Sequence, residues 1–205
     1  MGRGGRGAGI AHLRSRPPRR PDRTPWWWHP DGREAHTLVG RDYHDDLLFA
    51  ACAMHDLGVA SDGPHNQRFE VEGADRAAAL LLERGVPAAD ADEVWQAIAL
   101  HTSPGIAERR GTLCVLVREG VGLDFGGPLG AHHIDAVTDE QADAIHHAYP
   151  RLEMARSLTD AIVAQVAKDP RNAPRYSIPG EFLREPGKFG QTRLEHACRS
   201  SRWGS

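Results

Sequence analysis

Apolar positions in this chain recur with a helical period. From Asp45 to Met54 the residues Leu47, Leu48, Ala50, Ala51 and Met54 follow the i, i+3, i+4, i+7 rule, which predicts a helix with one buried stripe. His55 and Asp56 come next, and Gly58 lies where such a helix stops. Glu72 to Arg84 is rich in Ala and Leu, strong helix formers, with Gly85 at the C-terminal stop. Asp90 with Glu93 is close to a capping box ahead of Val94, Trp95, Ile98 and Ala99, the buried face of a helix ending near His101. Thr112 to Val121 is a further mostly apolar helix, expected to stop at Gly122 before an Asp124-Phe125-Gly126-Gly127 turn. Thr138 with Gln141 repeats the capping-box pattern before a short helix to His147, which Tyr149-Pro150 ends. Leu152 to Lys168 carries Met154, Leu158, Ile162 and Val166 on one face. Pro and Gly then dominate until Thr192 to Cys198, a last short helix. No stretch alternates as a half-buried strand does, so the expected class is all-α, a helical bundle.

Composition refines this picture at the N-terminus. Residues 1–33 carry Gly, Arg and Pro with no period, then Trp26-Trp27-Trp28-His29-Pro30, and are expected to be disordered or atypical. Residues 34–170 form the expected domain, and 171–205 a C-terminal extension. The chain has 205 residues and a formal charge of -3, which argues against the whole domain binding nucleic acid, although its Arg is concentrated before residue 34. No apolar run reaches the ~18 residues of a membrane span, and the first residues have Arg and Gly where a secretory signal has its apolar stretch, so a cytoplasmic location is expected. Three widely spaced cysteines, Cys52, Cys114 and Cys198, offer neither a disulfide framework nor a zinc knuckle, and read mainly as core.

Twelve histidines are present, and most have surface explanations: His132, His133, His146 and His147 come in adjacent pairs among polar residues. His55-Asp56 differs, because a polar pair following an apolar helical face needs a partner for both groups. A divalent ion is one such partner, an imidazole nitrogen and a carboxylate being suitable ligands. A helix-terminal His favoured by the dipole, followed by an Asp turn, is the other reading of the dipeptide alone.

Four spaced stretches extend the pattern: His55-Asp56-Leu57-Gly58, Arg68-Phe69-Glu70-Val71-Glu72-Gly73-Ala74-Asp75, Ala97-Ile98-Ala99-Leu100-His101-Thr102 and Gly120-Val121-Gly122-Leu123-Asp124. In this order they resemble the HD superfamily of metal-dependent hydrolases over about residues 41–168, closest to the branch that contains cyanamide hydratase. The resemblance implies an all-helical HD domain holding one divalent transition metal, Zn, Mn or Fe. His55 and Asp56 match the doublet and Asp124 the distal carboxylate. His101 is implied to line the pocket or to bind a second metal where the family has one, and Glu70 to orient a water. The family's first metal histidine, on an earlier helix in a His-Ser-x-Arg-like context, has no counterpart, and family-like text begins only at Gly40-Arg41-Asp42-Tyr43. His29 is the nearest candidate for that ligand, although the residue before a proline disfavours the helical conformation.

The expected function is metal-assisted hydrolysis of a small molecule through a metal-activated water. Hydration of a nitrile, as in cyanamide hydratase, is the alternative, and a catalytically impaired scaffold lacking the first histidine is another. Arg68, Arg109 and Arg110 are the basic residues near the motifs that a phosphate ester would need. The expected partner is a small-molecule substrate, without membrane or nucleic acid.

Overall fold

A computed structural model of the chain describes residues 43–125, 137–185, 190–201 and 203–204. Within them the chain is helical, in the order α1 (Asp45–Met54), α2 (Phe69–Glu83), α3 (Ala88–Leu100), α4 (Thr112–Asp124), α5 (Asp139–Ala148), α6 (Met154–Lys168), α7 (Ile178–Arg184) and α8 (Arg193–Ser200), with no strand among the described residues. Short 3-10 turns occur at Leu57–Val59, Ala107–Arg109 and Pro170–Asn172. No described helix is long and apolar enough to cross a membrane. The expectations for residues 1–33, for His29 and for the His132-His133 pair fall outside the described residues.

Local chemistry explains most of the boundaries. Asp45 and Asp46 sit in the first turn of α1, where carboxylates favour the positive end of the helix dipole. α2 ends as its sequence predicts: Gly85 has φ +79, a conformation a Cβ would strain, and its N–H returns to the Leu82 carbonyl at 3.0 Å. Thr138 and Thr192 each form a full capping box, with Gln141 and Glu195 reaching back to the cap N–H at 2.8 and 2.7 Å.

Other boundaries differ from expectation, and α2 already starts at Phe69, three residues before Glu72. α3 begins at Ala88, after Pro87, and has no side-chain cap. Pro87 sets a φ of -54 at the entry, so Asp90 falls inside the first turn and contributes its charge rather than a cap. α4 runs past Gly120 and Gly122 to Asp124, because both glycines are buried in packing that holds the helix on. Asp124 is therefore a helical residue and not part of a turn. α7 interrupts the Pro- and Gly-rich segment: Ser177 accepts the Gly180 N–H at 3.2 Å and Pro179 occupies the first turn, where its missing N–H costs nothing.

Two cores form. Leu48, Ala51 and Cys52 of α1 pack with Ala74 and Ala77 of α2, Val94 and Ile98 of α3, and Leu113 and Val117 of α4. Phe69 and Phe125 leave this group to join Ile162 of α6, Phe182 of α7, and Leu194 and Cys198 of α8. All three cysteines are buried free thiols.

The crossing of α2 over the end of α1 depends on two glycines. A Cβ on Gly58 would run into the Phe69 carbonyl oxygen and stand 2.7 Å from the Gly73 nitrogen, while one on Gly73 would meet the Gly58 nitrogen at 2.9 Å. These are backbone atoms, which cannot step aside as a side chain end can. The Gly58 carbonyl also accepts a 2.7 Å hydrogen bond from Gln165 of α6. Gly58→Ala should therefore cost about 3 kcal/mol, as overpacking into rigid surroundings does. Urea unfolding measures this, and a loss below about 0.5 kcal/mol, the usual range for surface changes, would contradict the packing.

Candidate metal centre

The helical stripe that buries Leu48, Ala51 and Cys52 ends one turn before His55, which carries the imidazole to the edge of the core. His55 Nδ1 lies 2.8 Å from the Cys52 carbonyl oxygen. A carbonyl only accepts, so Nδ1 carries the proton and Nε2 is turned away from the helix. His101 repeats the device at the end of α3, its Nδ1 lying 2.6 Å from the Ile98 carbonyl. The two rings meet edge to face with centroids 5.2 Å apart, and Phe69 packs edge-on against His101 at 5.8 Å.

Both Nε2 atoms face one carboxylate. Asp56 Oδ2 is 3.2 Å from His55 Nε2, and Asp56 Oδ1 is 3.8 Å from His101 Nε2. The electrostatics separate the rings. Burial works against a charged His55, but the Asp56 carboxylate, the hydrogen bond to it, the Cys52 carbonyl and the more distant Asp124 outweigh burial and lift its pKa to about 9. For His101, burial and the charge of His55 prevail over Asp56, the Ile98 carbonyl and Glu70, so its pKa falls below the usual value. Burial also opposes ionisation of Asp56, yet its two histidine neighbours leave its pKa lowered. At neutral pH a neutral His101 thus presents a lone pair to a carboxylate that is itself only an acceptor. The space between them suits a positively charged group.

The remaining expected residues are placed differently. Glu70 is fully buried, and its Oε1 takes hydrogen bonds from Arg68 at 2.8 Å and from the Thr102 hydroxyl at 2.7 Å. It reaches the site through Thr102. Asp124 is close enough to act electrostatically on His55, but its Oδ1 accepts from Arg151 at 2.8 Å. Among the described residues no three His, Cys, Asp or Glu side chains stand ready around one ion. Arg68 is held by Glu70 and Arg110 by Gln96 at 2.8 Å, and neither they nor Arg109 line the cavity beside His55 and Asp56.

His55, Asp56, His101 and Thr102 share the wall of a cavity of about 300 Å³ with Phe69 and Phe125, and with Phe182 and Leu194 from the C-terminal helices. Phe69 belongs to the second motif stretch, and Phe125 directly follows the fourth. Phe182 and Leu194 carried no such signal, since only the tertiary fold brings α7 and α8 to a site built around residue 55. Arg118 also lines the cavity while almost fully buried.

Comparison with protein-family models, with curated proteins and with solved structures gives no match.

The pH dependence follows from the shifts. The raised pKa of His55 adds stability that is complete below its ordinary value of 6.5 and is lost as pH rises through about 9. The lowered pKa of Asp56 adds stability present above 3.8 and lost as pH falls further. Chelator-treated protein should unfold at lower urea concentration at about pH 9.5 than at about pH 6, and His55→Gln should remove most of that difference. An equal pH 6 to 9.5 decline in His55→Gln would contradict the assignment.

Proposed function

We propose that the chain is a metal-dependent hydrolase of the HD type acting on a small molecule. The observation that supports this reading is the convergence of His55 Nε2 and His101 Nε2 on the two oxygens of Asp56, with each ring's Nδ1 anchored on a backbone carbonyl. Backbone anchoring of one ring nitrogen is how metal-bound histidines are oriented and kept in the right tautomer. His55 and Asp56 would hold the ion, with Asp124 as the further carboxylate once released from Arg151. A bound Zn, Mn or Fe supplies a water of lowered pKa and polarises the electrophile.

The chain's own groups have defined parts around that ion. His101, neutral and with its Nε2 lone pair toward the site, can accept a proton there and return it to a leaving group. Thr102 spends its hydroxyl proton on Glu70, so its oxygen presents lone pairs to the cavity and can accept an N–H or O–H. Arg68 fixes the position of Glu70 through a 2.8 Å contact, which keeps Thr102 in that role.

A second reading is a catalytically impaired HD scaffold. The engagement of Asp124 by Arg151 favours it, because it removes one carboxylate from the donor set. Metal analysis of the purified full chain separates the two. The hydrolase reading predicts about one equivalent of a divalent transition metal, with His55→Ala weakening affinity by at least the 10- to 100-fold typical of changes around a metal site. Circular dichroism checks that the variant is folded. Far less than one equivalent, together with an unchanged affinity in His55→Ala, would support the scaffold.

A further inference from the structure

The cavity's wall identifies the kind of molecule that fits it. Apart from His55, Asp56, His101 and Thr102, its surface is largely side chains such as Phe69, Phe125, Leu158, Ile162, Phe182 and Leu194. A volume of about 300 Å³ is the lower end of the range for organic-ligand pockets. A substrate the size of cyanamide would leave most of that apolar surface uncovered. Tyr176 also lines the cavity and is 92% exposed, which puts it at the mouth.

The described wall carries no surplus of positive charge, since Asp56 faces His55, Glu181 pairs with Arg184 and Glu185 with Arg193. Asp56, Glu181 and Glu185 contribute carboxylates. Of the two guanidiniums there, Arg193 lies 3.0 Å from Glu185, and Arg118 is almost fully buried and has an interaction within the chain. Apart from an ion at the His55–Asp56 end, a phosphate ester placed here would lose its hydration among charges that are already matched, with no surplus cation on the described wall to offset the cost. An uncharged ligand faces no such penalty, and its carbon body gains from each apolar contact.

We propose that the substrate is an uncharged small molecule with an alkyl or aryl body, its single polar reacting group directed to His55, Asp56, His101 and Thr102. This rests on the reading of that polar cluster as the reacting end. The affinity for the body comes from apolar side chains supplied by α2, α4, α6, α7 and α8. The C-terminal helices are thus specificity elements as well as core.

The test uses the full chain and a series of n-alkyl nitriles from acetonitrile to hexanenitrile, with benzonitrile, phenyl phosphate and inorganic phosphate for comparison. Ligand-observed NMR gives Kd for each, once with zinc and once with chelator. The proposal predicts about three- to fourfold tighter binding per added methylene, and benzonitrile binding tighter than phenyl phosphate. Phe182→Ala should weaken hexanenitrile about tenfold and acetonitrile little. Ile178→Phe, which narrows the cavity without removing core, should exclude hexanenitrile while acetonitrile still binds. A flat chain-length profile, or phenyl phosphate binding tighter than benzonitrile, overturns the proposal. A gradient that persists in chelator supports it even if zinc fails to bind, an outcome that would sink the metal reading alone. A flat profile with zinc bound overturns the substrate class and leaves the metal reading standing.

Discussion

The site depends on a backbone-to-backbone contact. Gly58 lies against the Phe69 carbonyl and the Gly73 nitrogen, so that the first turn of α2 rests directly on the chain leaving α1, and Gln165 of α6 hydrogen-bonds the Gly58 carbonyl. Three helices therefore meet two residues after Asp56. No side chain could be inserted at Gly58 without separating α2 from α1, and Phe69, which begins α2, is the residue that packs against His101. Through this contact the ends of α1 and α3 are held at the spacing that lets both imidazoles address Asp56. The glycine closing the first motif is thus a spacer whose missing Cβ sets the geometry of the preceding pair.

Given that geometry, the electrostatics follow from the carboxylate placed between the two rings, set against their burial. His101 is buried, whereas His55 and Asp56 keep part of their side chains in solvent, so the first proton stays on His55 beside the carboxylate, and its charge helps keep His101 neutral. Such a cluster holds one positive charge comfortably and leaves one acceptor nitrogen pointing inward. A divalent ion in place of the proton would satisfy His55 and Asp56 and leave the His101 lone pair to take up a proton, and this underlies the functional proposal. Asp124 is the variable in the arrangement. Its field reaches His55 while its oxygen is bonded to Arg151.

Local patterns carried the fold class and most helices. Period, the capping box at Thr138 and the Gly85 stop are decided by residues within a turn of each other, and sequence shows them directly, although the similar Asp90-Glu93 pattern does not cap α3. The end of α4 was not legible, because glycine reads as a stop unless packing buries it, and burial of Gly120 and Gly122 is a tertiary fact. α7 was hidden for a similar reason: seven residues give little period, and its Pro and Gly resemble loop composition until Ser177 is seen to cap it. At the site, the motifs led to His55, Asp56 and His101 in one place, but spacing could not reveal that Glu70 faces Arg68 and Thr102 rather than the cavity. Nor could it reveal Phe182 and Leu194, whose role depends on how a Pro-rich segment folds back across α6.

The central claim is that His55 and Asp56 form the binding end of a metal centre. X-ray absorption at the zinc edge, on the zinc-loaded full chain, tests it most directly. The account predicts a first shell of nitrogen and oxygen with an outer-shell imidazole signature that His55→Ala diminishes. A sulfur shell, or a spectrum that His55→Ala leaves unchanged, would contradict it.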